Sequence, residues 1–470
     1  MSFSGTDKKL EIEWKYIYRG MCAVILTAIA GGSFFYVWHI FVFFYAANYQ
    51  RYSYLRGIGN QLMSLTIYLA LYILIGHGLR AFAIGVERVS NILASQVITL
   101  FLTDICETFV SMAVTGRWRF WGHFLWKYAK LFALQAVTIC IASIIMIKLY
   151  RILFPPIDLI EVYGRENGLY TKVNKLQYKY HISESIYAEE ESPEKIMEKI
   201  EPHQAVLLND LSAKMRNKIL KACFRMDKRV YVVPKISDVI MKNSEELRLF
   251  DTPMLLCRNR EISWWQRIIK RGFDILLSLI ALIILSPVMV ITAIAIHAED
   301  GGPVLYRQER VTRGGRKFQM LKFRSMIVNA EADGKPHPAG EKDPRITKTG
   351  SFIRACRIDE LPQLVNILRG DMSIVGPRPE RVEHVEKYSR LIPEFDFRLK
   401  MKGGLTGYAQ VYGKYNTTPL DKLKLDLTYI TNYSLLTDVQ IIFETLKILF
   451  VKESTEGFSE ADNDRQQTSR

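Results

Sequence analysis

The chain has 470 residues, enough for two or three domains, and 49% of them are hydrophobic. Long apolar runs fill the first 155 residues and the net charge is +15. This combination favours lipid headgroups or phosphorylated substrates as partners and argues against nucleic acid. The six cysteines form no C-x-x-C pair and no Cys/His cluster, which argues against a zinc site or a disulfide framework.

Residues 1–155 are predicted to form a bundle of four transmembrane helices. Crossing a bilayer takes about 20 mostly apolar residues, and four segments are long enough. They lie at roughly 20–45, 60–79, 93–115 and 131–154. Basic residues occur both before the first span and in the last loop, so charge counting leaves the topology open.

Two acids, Asp104 and Glu107, lie one helical turn apart inside the third span. Carboxylates within a membrane can mark a transport path. They can equally face the interior of a bundle, and we favour that simpler interpretation.

Residues 156–255 are predicted to form a small Rossmann-like cytoplasmic domain of mixed α/β structure. The predicted elements are strands at 159–163 and 230–233 and helices at 194–200 and 210–225. The turn after the first strand, 164–168, is not G-x-G-x-x-G, so the sequence predicts no dinucleotide site there.

A further apolar run at 273–298 is interrupted near its middle by Ser286-Pro287. Proline removes a backbone donor and kinks a helix. The Ser286 hydroxyl, or burial within the protein, can satisfy the carbonyl that is freed near Ile283.

Positive charge flanks this run on both sides. Trp264, Trp265, Lys270 and Arg271 precede it and suit a membrane interface, and several arginines follow it. This pattern favours a helix at about 270–298 that enters and leaves the membrane on one face, over a fifth ordinary span.

An acidic pair, Asp359 and Glu360, precedes a predicted short helix. Pro362 suits its first turn, and Arg369 followed by Gly370 gives a C-terminal stop. The two carboxylates are therefore predicted at the N-terminus of the helix, where the dipole favours anions. Taken alone, such a pair is more often a helix cap than a site.

The residues that follow this helix favour a functional site over a simple helix cap. A short strand at 371–375 leads to Arg378, which lies between two prolines, so a guanidinium that matches phosphate oxygens is presented from a stiff loop. Lys322 and Arg324 add charge from another strand-like segment. Paired carboxylates beside a rigid arginine indicate phosphoryl transfer, in which a carboxylate can bind Mg²⁺ or attack phosphorus.

Several spaced motifs of residues 256–452 agree in type and order with one family. They are Lys270-Arg271-Gly-Phe-Asp274, Ser286-Pro287, Asp359-Glu360-Leu-Pro-Gln-Leu, Gly370-Asp-Met-Ser-Ile-Val-Gly-Pro-Arg-Pro379 and Gly404-Leu-Thr-Gly407-Tyr-Ala-Gln-Val411. The region resembles the monotopic phosphoglycosyl transferases, bacterial sugar transferases that start capsule, exopolysaccharide and O-antigen synthesis. With its bundle and middle domain, the whole chain is similar to the large form of that family.

The resemblance implies a membrane protein of the α+β class with a monotopic catalytic domain on the cytoplasmic face of the bacterial inner membrane. It implies transfer of a hexose-1-phosphate from a UDP-sugar, glucose or galactose favoured, to undecaprenyl phosphate, with release of UMP. It also implies a re-entrant helix kinked at Ser286-Pro287. Residues 453–470 are predicted to be a disordered tail, and the extra domains are candidates for homodimer contacts.

By the same resemblance, Asp359 is the nucleophile and forms a phosphosugar-aspartyl intermediate, and Glu360 assists in Mg²⁺ binding or proton handling. Arg378 holds the substrate phosphate. The remaining candidates are Lys322, Arg324, Arg354 and Arg357 for phosphate contacts, Thr406 and Gln410 near the nucleotide, and Asp426 in support of the site. One departure is Gly403, where the family often has proline, and it is expected to loosen that loop.

Three alternatives compete with this interpretation. A multi-span polyprenyl-phosphate transferase would need about ten spans. A membrane-bound epimerase or dehydratase would need the missing G-x-G-x-x-G. A non-enzymatic scaffold or chain-length regulator would need neither the acidic pair nor the arginine loop.

Overall fold

The computed structural model describes residues 5–48, 58–115, 121–164, 169–174, 179–257, 262–328, 330, 343–413 and 417–449. The chain divides into two compact units, Met1–Val233 and Pro234–Arg470. Most of the predicted turn at 164–168 and the whole predicted tail at 453–470 lie outside the described residues.

The first unit begins with four long apolar helices that pack around a shared core. They are α1 (Gly5–Asn48), α2 (Ile58–Gly78), α3 (Val89–Thr115) and α4 (Trp121–Leu153). Phe34 stacks on Tyr68 with ring centroids 4.2 Å apart, and Leu100 and Ile139 are buried in the same core. Each helix contains a stretch long and apolar enough to cross a membrane, which confirms the four predicted apolar segments.

Four parallel strands complete this unit in the order β2–β1–β3–β4. The elements are β1 (Ile157–Tyr163), α5 (Leu169–Asn174), β2 (Tyr180–Tyr187), α6 (Pro193–Ile200), β3 (Ala205–Asn209), α7 (Ala213–Arg225) and β4 (Arg229–Val232). Ile196 and Ile219 from the helices pack in one core with Val206 of β3. The predicted α/β character is confirmed, and the unit ends at Val233, ahead of the predicted boundary at 255.

The second unit combines one very long helix with short strands and helices. Its elements are α8 (Ile236–Met241), β5 (Glu245–Leu249), β6 (Thr252–Leu256), α9 (Trp264–Asp300), β7 (Leu305–Val311), β8 (Lys317–Phe323), α10 (Lys348–Ala355), α11 (Gln363–Arg369), β9 (Ser373–Val375), α12 (Val382–Leu391), β10 (Gly404–Thr406), α13 (Tyr408–Tyr412), α14 (Pro419–Thr431) and α15 (Leu435–Leu449). β7 pairs antiparallel with β8, and β9 pairs in parallel with β10.

The helix α9 runs for 37 residues and contains Pro287. The Ser286 hydroxyl donates to the Ile283 carbonyl at 2.8 Å, the carbonyl that proline leaves without its usual donor, as the sequence predicts. One face of α9 packs on the domain both before and after the proline, whereas Ile284 and Ile291 on the other face are each 67% exposed.

Residues before and after α9 share one hydrophobic core. Val239 and Ile262 precede the helix, and they pack with Phe395, Leu427 and Ile441, which follow it. The two flanks of α9 therefore belong to one folded body.

Candidate active site

Asp359 and Glu360 lie in a 3-10 turn ahead of α11, one turn before the predicted position. Pro362 has no N–H to donate to the Ile358 carbonyl, so that carbonyl accepts from the Leu361 N–H at 3.1 Å instead. The tighter turn presents the two acidic side chains side by side.

Glu360 is enclosed by two cations. The Arg378 guanidinium donates to one of its oxygens, and the Lys322 ammonium lies 3.6 Å from the same oxygen. Burial opposes ionisation of Glu360, but the charges of Arg378 and Lys322 outweigh it and lower its pKa to about 2. Glu360 is therefore a permanent anion that holds both cations in place.

Asp359 differs from its neighbour. Among the described residues, no group donates a hydrogen bond to its carboxylate, although Lys322 and Arg378 are near enough to act on it electrostatically. Burial, followed by repulsion from Glu360, raises its pKa above the ordinary value. Its oxygens are thus open to a ligand, and more basic than those of an ordinary aspartate.

Lys322 extends from β8 into the same cluster. Burial lowers its pKa to about 8, and the charge of Arg378 acts in the same direction, while Glu360 opposes both. The ammonium is consequently charged at neutral pH and close to the point at which it loses its proton.

The loop that carries Arg378 is fixed through its backbone carbonyls. The carbonyl of Pro377 accepts a backbone N–H at 2.9 Å. The Arg378 carbonyl accepts from Arg398 at 2.9 Å, and the Pro379 carbonyl accepts from Arg310 at 3.1 Å. Three consecutive anchors confirm the rigidity that the two prolines predict.

Behind this loop lies a buried charge network that sequence reasoning missed in part. Arg398 donates to Asp426 at 2.7 Å, and its guanidinium lies 3.5 Å from Glu380. Asp426 thus acts on Arg378 through Arg398. Glu380 directly follows the Pro-Arg-Pro sequence, which is the one local signal available, whereas nothing in the sequence near Arg398 marks it.

One protein family model matches most of this unit. Residues 265–452 match the family model described as "Bacterial sugar transferase". This segment is similar to bacterial sugar transferases, and we refer to it below as the transferase domain.

Several curated proteins are similar to the chain over segments about as long as the one the family model matches. The chain is 45% identical over 184 residues to the UDP-N-acetylgalactosamine-undecaprenyl-phosphate N-acetylgalactosaminephosphotransferase of Aeromonas hydrophila, covering 38% of this chain and 43% of that protein. It is 37% identical over 230 residues to the UDP-glucose:undecaprenyl-phosphate glucose-1-phosphate transferase of Escherichia coli (strain K12), covering 48% and 49%.

A third relative carries a different sugar in its name. The chain is 36% identical over 240 residues to the undecaprenyl-phosphate galactose phosphotransferase of Salmonella typhimurium, covering 48% of this chain and 50% of that protein. The chain therefore spans about half the length of the curated relatives it matches.

Within the transferase domain, the structure brings Asp359, Glu360, Lys322 and Arg378 together. Arg354 is close enough to contribute positive charge at Asp359, and its contact with a substrate phosphate stays a prediction.

Four further candidates lie away from this cluster or at its edge. Arg357 is exposed and adds charge near Glu360 from a left-handed backbone position at φ 53°. Arg324 is buried and pairs with Asp300 at the end of α9.

The Thr406 hydroxyl forms a hydrogen bond of 2.6 Å with the Thr445 hydroxyl. The Gln410 amide donates to the Leu405 carbonyl at 3.0 Å. Both predicted nucleotide contacts therefore have bonding partners within the transferase domain.

The two cations predicted for the membrane interface bind inside the transferase domain. Lys270 pairs with Asp438 at 2.6 Å. Arg271 donates to the carbonyls of Ile367 and Leu368 at 2.6 and 2.7 Å, at the C-terminal end of α11 where positive charge is favourable. Lys270 thereby fastens the start of α9 to α15, and Arg271 fastens it to α11, the helix that follows the acidic pair.

Gly403 is held on both sides and does not loosen its loop. Its N–H donates to the Thr312 hydroxyl at 3.0 Å, and its carbonyl accepts from Ser373 at 2.9 Å. A Cβ at this position would lie 2.4 Å from the Pro379 ring. In this chain a proline at position 403 would lose the hydrogen bond to Thr312 and clash with the Pro379 ring.

The fit of the cluster to Mg²⁺ rests on Asp359. Among the described residues no group of three or more acids, histidines or cysteines is placed to hold a metal ion. Mg²⁺ commonly keeps several waters and binds through one or two carboxylates plus substrate phosphates. The open carboxylate of Asp359 fits that mode, whereas Glu360 is already engaged by Arg378 and Lys322.

Proposed function

We propose that the chain transfers a hexose-1-phosphate from a UDP-sugar to undecaprenyl phosphate and releases UMP. The observation that carries the proposal is an aspartate whose oxygens have no protein donor among the described residues, set beside an ionised glutamate that holds an arginine and a lysine. The names of the relatives support undecaprenyl phosphate as the acceptor.

The proposed reaction has two displacements at one phosphorus. In the first, an Asp359 oxygen attacks the sugar-linked phosphorus of the UDP-sugar, and the bond from that phosphorus to the UMP oxygen breaks. In the second, an oxygen of undecaprenyl phosphate attacks the same phosphorus, and the bond to Asp359 breaks. The carboxylate is restored and the product is a lipid-linked diphosphate sugar.

The surrounding charges have separate parts in this scheme. Arg378 and Lys322 stabilise the negative charge on the transferred group and on departing UMP. Glu360 stays ionised and keeps both cations oriented when substrate is absent. Mg²⁺, when bound with Asp359, would supply further positive charge at the diphosphate.

We propose further that α9 enters and leaves the membrane on one face. Support comes from the core shared by Val239 and Ile262 before the helix with Phe395 and Ile441 after it. A helix that crossed the bilayer would place these flanks on opposite sides, where they could not share a core. The four N-terminal helices are proposed to span the bacterial inner membrane as a bundle, with the transferase domain on the cytoplasmic face.

The proposed place of the reaction is the first membrane step in making an exopolysaccharide, capsule or O-antigen. Glucose and galactose are our favoured sugars, and the 45% identity to a protein named for N-acetylgalactosamine adds that sugar to the set to be tested.

The deciding experiment is UMP release by the purified chain in lipid, with Mg²⁺ and undecaprenyl phosphate, from UDP-glucose, UDP-galactose and UDP-N-acetylgalactosamine in parallel. We expect release from one sugar to exceed the others. With that sugar and no acceptor, intact-mass analysis should detect the protein plus one phosphate ester of that sugar. Folded protein that releases UMP from none of the three would overturn the proposal and favour a scaffold.

A further inference from the structure

The second unit contains a cavity of about 1030 Å³ beside the first turns of α9. No member of the Asp359 cluster lines it: Asp359, Glu360, Lys322 and Arg378 all lie elsewhere. Its volume is in the range of sites that hold small organic ligands. The cavity is thus a second candidate site in the same domain.

Its lining is strongly basic. The cations that line it are Arg267, Lys270, Arg271, Arg313, Lys317, Lys400 and Lys402, of which Lys270 pairs with Asp438 and Lys317 with Glu309. Three acids also line it, and one of them, Asp274, already accepts hydrogen bonds from Ser373 and Ile374. The lining therefore has an excess of positive charge that suits an anion.

Lys402 lies among these cations. Burial lowers the pKa of Lys402, and the charges of Arg271, Arg316 and Arg313 lower it further, against the opposing charge of Asp274. An anion bound among Lys402, Arg271 and Arg313 would relieve this repulsion.

The remaining wall of the cavity is apolar, and it includes Ile262, Ile268 and Val385. Trp264 and Trp265, in the same turns of α9, are 74% and 47% exposed. Exposed tryptophans beside an apolar helix are typical of a membrane–water interface. An occupant that reaches this cavity from a bilayer brings both a charged head and an apolar tail.

We infer that the cavity binds an anionic phospholipid, with its phosphate between Lys402, Arg271 and Arg313 and an acyl chain along the apolar wall. The lipid acceptor of the transfer reaction is the other amphiphile with a phosphate. Its phosphate must reach Asp359, and no residue of that cluster lines the cavity. A lipid held here instead fixes the first turns of α9 against the domain at the membrane surface.

The test uses the full chain in neutral phosphatidylcholine nanodiscs. Phosphatidylglycerol, inorganic phosphate or undecaprenyl phosphate is added separately, and thermal unfolding and retained lipid are measured. We expect phosphatidylglycerol to raise the melting temperature and to be retained. Lys402→Gln should bind it about fivefold more weakly, the loss expected for one interfacial charge, and Lys402→Arg should bind it normally.

A matched control is Lys387→Gln on α12, which removes the same charge from an exposed position that does not line the cavity. It should retain phosphatidylglycerol like the parent chain. UMP release in neutral lipid should be unchanged in Lys402→Gln, which separates this proposal from the transfer reaction.

Three outcomes would overturn the inference. Equal retention of phosphatidylglycerol by Lys402→Gln and the parent chain would remove the cavity as its site. An equal rise in melting temperature with inorganic phosphate would show a simple anion site. Displacement of phosphatidylglycerol by stoichiometric undecaprenyl phosphate, lost in Lys402→Gln, would assign the cavity to the acceptor.

Discussion

Two pairs of acids among the described residues, Asp104 with Glu107 and Asp359 with Glu360, are built differently. Asp104 and Glu107 lie on α3 within the N-terminal helices, and the Ser64 hydroxyl donates to Glu107 at 2.5 Å. Among the described residues, no lysine or arginine forms an ion pair with either acid. Asp359 and Glu360 instead lie among charged side chains of the transferase domain.

The difference shows that burial alone does not prepare a carboxylate for chemistry. At the second pair, Arg378 and Lys322 hold Glu360 ionised and leave Asp359 open, so two adjacent acids acquire separate roles. Pairs of titratable groups whose environments push their pKa values apart are characteristic of active sites. The first pair has hydroxyl neighbours and is consistent with a structural role in the helix core.

The sharpest test of this comparison is Asp359→Asn. An amide keeps the shape but cannot attack phosphorus, so we expect UMP release to fall by at least about a thousandfold. The sugar phosphate adduct should disappear from the intact-mass spectrum. An Asn variant that is folded and still forms the adduct would move the nucleophile to another residue.

The next largest effect is expected for Arg378→Gln. It removes a cation aimed at the transferred group and leaves Glu360 with Lys322 alone, so kcat/KM should fall about a hundredfold. Exposed Arg390→Gln on α12 is the control and should stay near the parent value. A loss that is confined to thermal stability would assign Arg378 a structural role only.

A smaller loss is expected from Asp426→Asn, which acts through Arg398. Breaking a buried ion pair by removing one partner costs about 3 kcal/mol of stability. Because the substrate contacts themselves remain, we expect kcat to fall about tenfold with little change in KM. Equal losses in Asp426→Asn and in the double variant with Arg398→Gln would confirm that the two residues act as one unit, whereas additive losses would contradict it.

The pH dependence gives a finer test. Lys322 has a pKa lowered to about 8, so its charge, and with it activity, should be lost as the pH rises through about 8. On the acid side, activity should be lost as the pH falls through the pKa of Asp359, which is raised above 3.8. In Lys322→Arg, whose guanidinium stays charged, the alkaline decline should move upward while the acid limb stays. If the alkaline decline in activity stays at the same pH in Lys322→Arg, the titration of another group causes it.

The smallest effect is expected for Asp104→Asn in the first pair. The amide conserves volume, so UMP release should stay within about twofold of the parent chain. A loss comparable to that of Asp359→Asn would break the comparison and make the N-terminal helices part of the chemistry.

Local chemistry explains what could be predicted from sequence. The acidic pair, the stop at Gly370 and the stiff loop at Arg378 are marked by neighbouring prolines and glycines, and the structure contains all three. The position of the pair in a 3-10 turn was not predicted, since that depends on which carbonyl loses its donor to Pro362.

Long-range partners could not be predicted in the same way. The apolar neighbours of Lys270 predict a place at the membrane interface, but they do not reveal its pairing with Asp438, 168 residues away. Arg398 could not be predicted because its role depends on contacts with Asp426, 28 residues further on, and with a carbonyl of the Arg378 loop. Amino-acid spacing records periodicity along one element and carries no measure of distance between elements.

The core that joins both flanks of α9 also constrains how the protein is made. Val239 and Ile262 leave the ribosome well before Ile441, with which they pack. At about 5–20 residues per second, the delay is on the order of ten seconds or more. During that interval α9 lacks part of the core that joins its flanks, so the proposed re-entrant arrangement is complete only after α15 has been synthesised. The seating of this helix on its domain is in that sense a late step of folding.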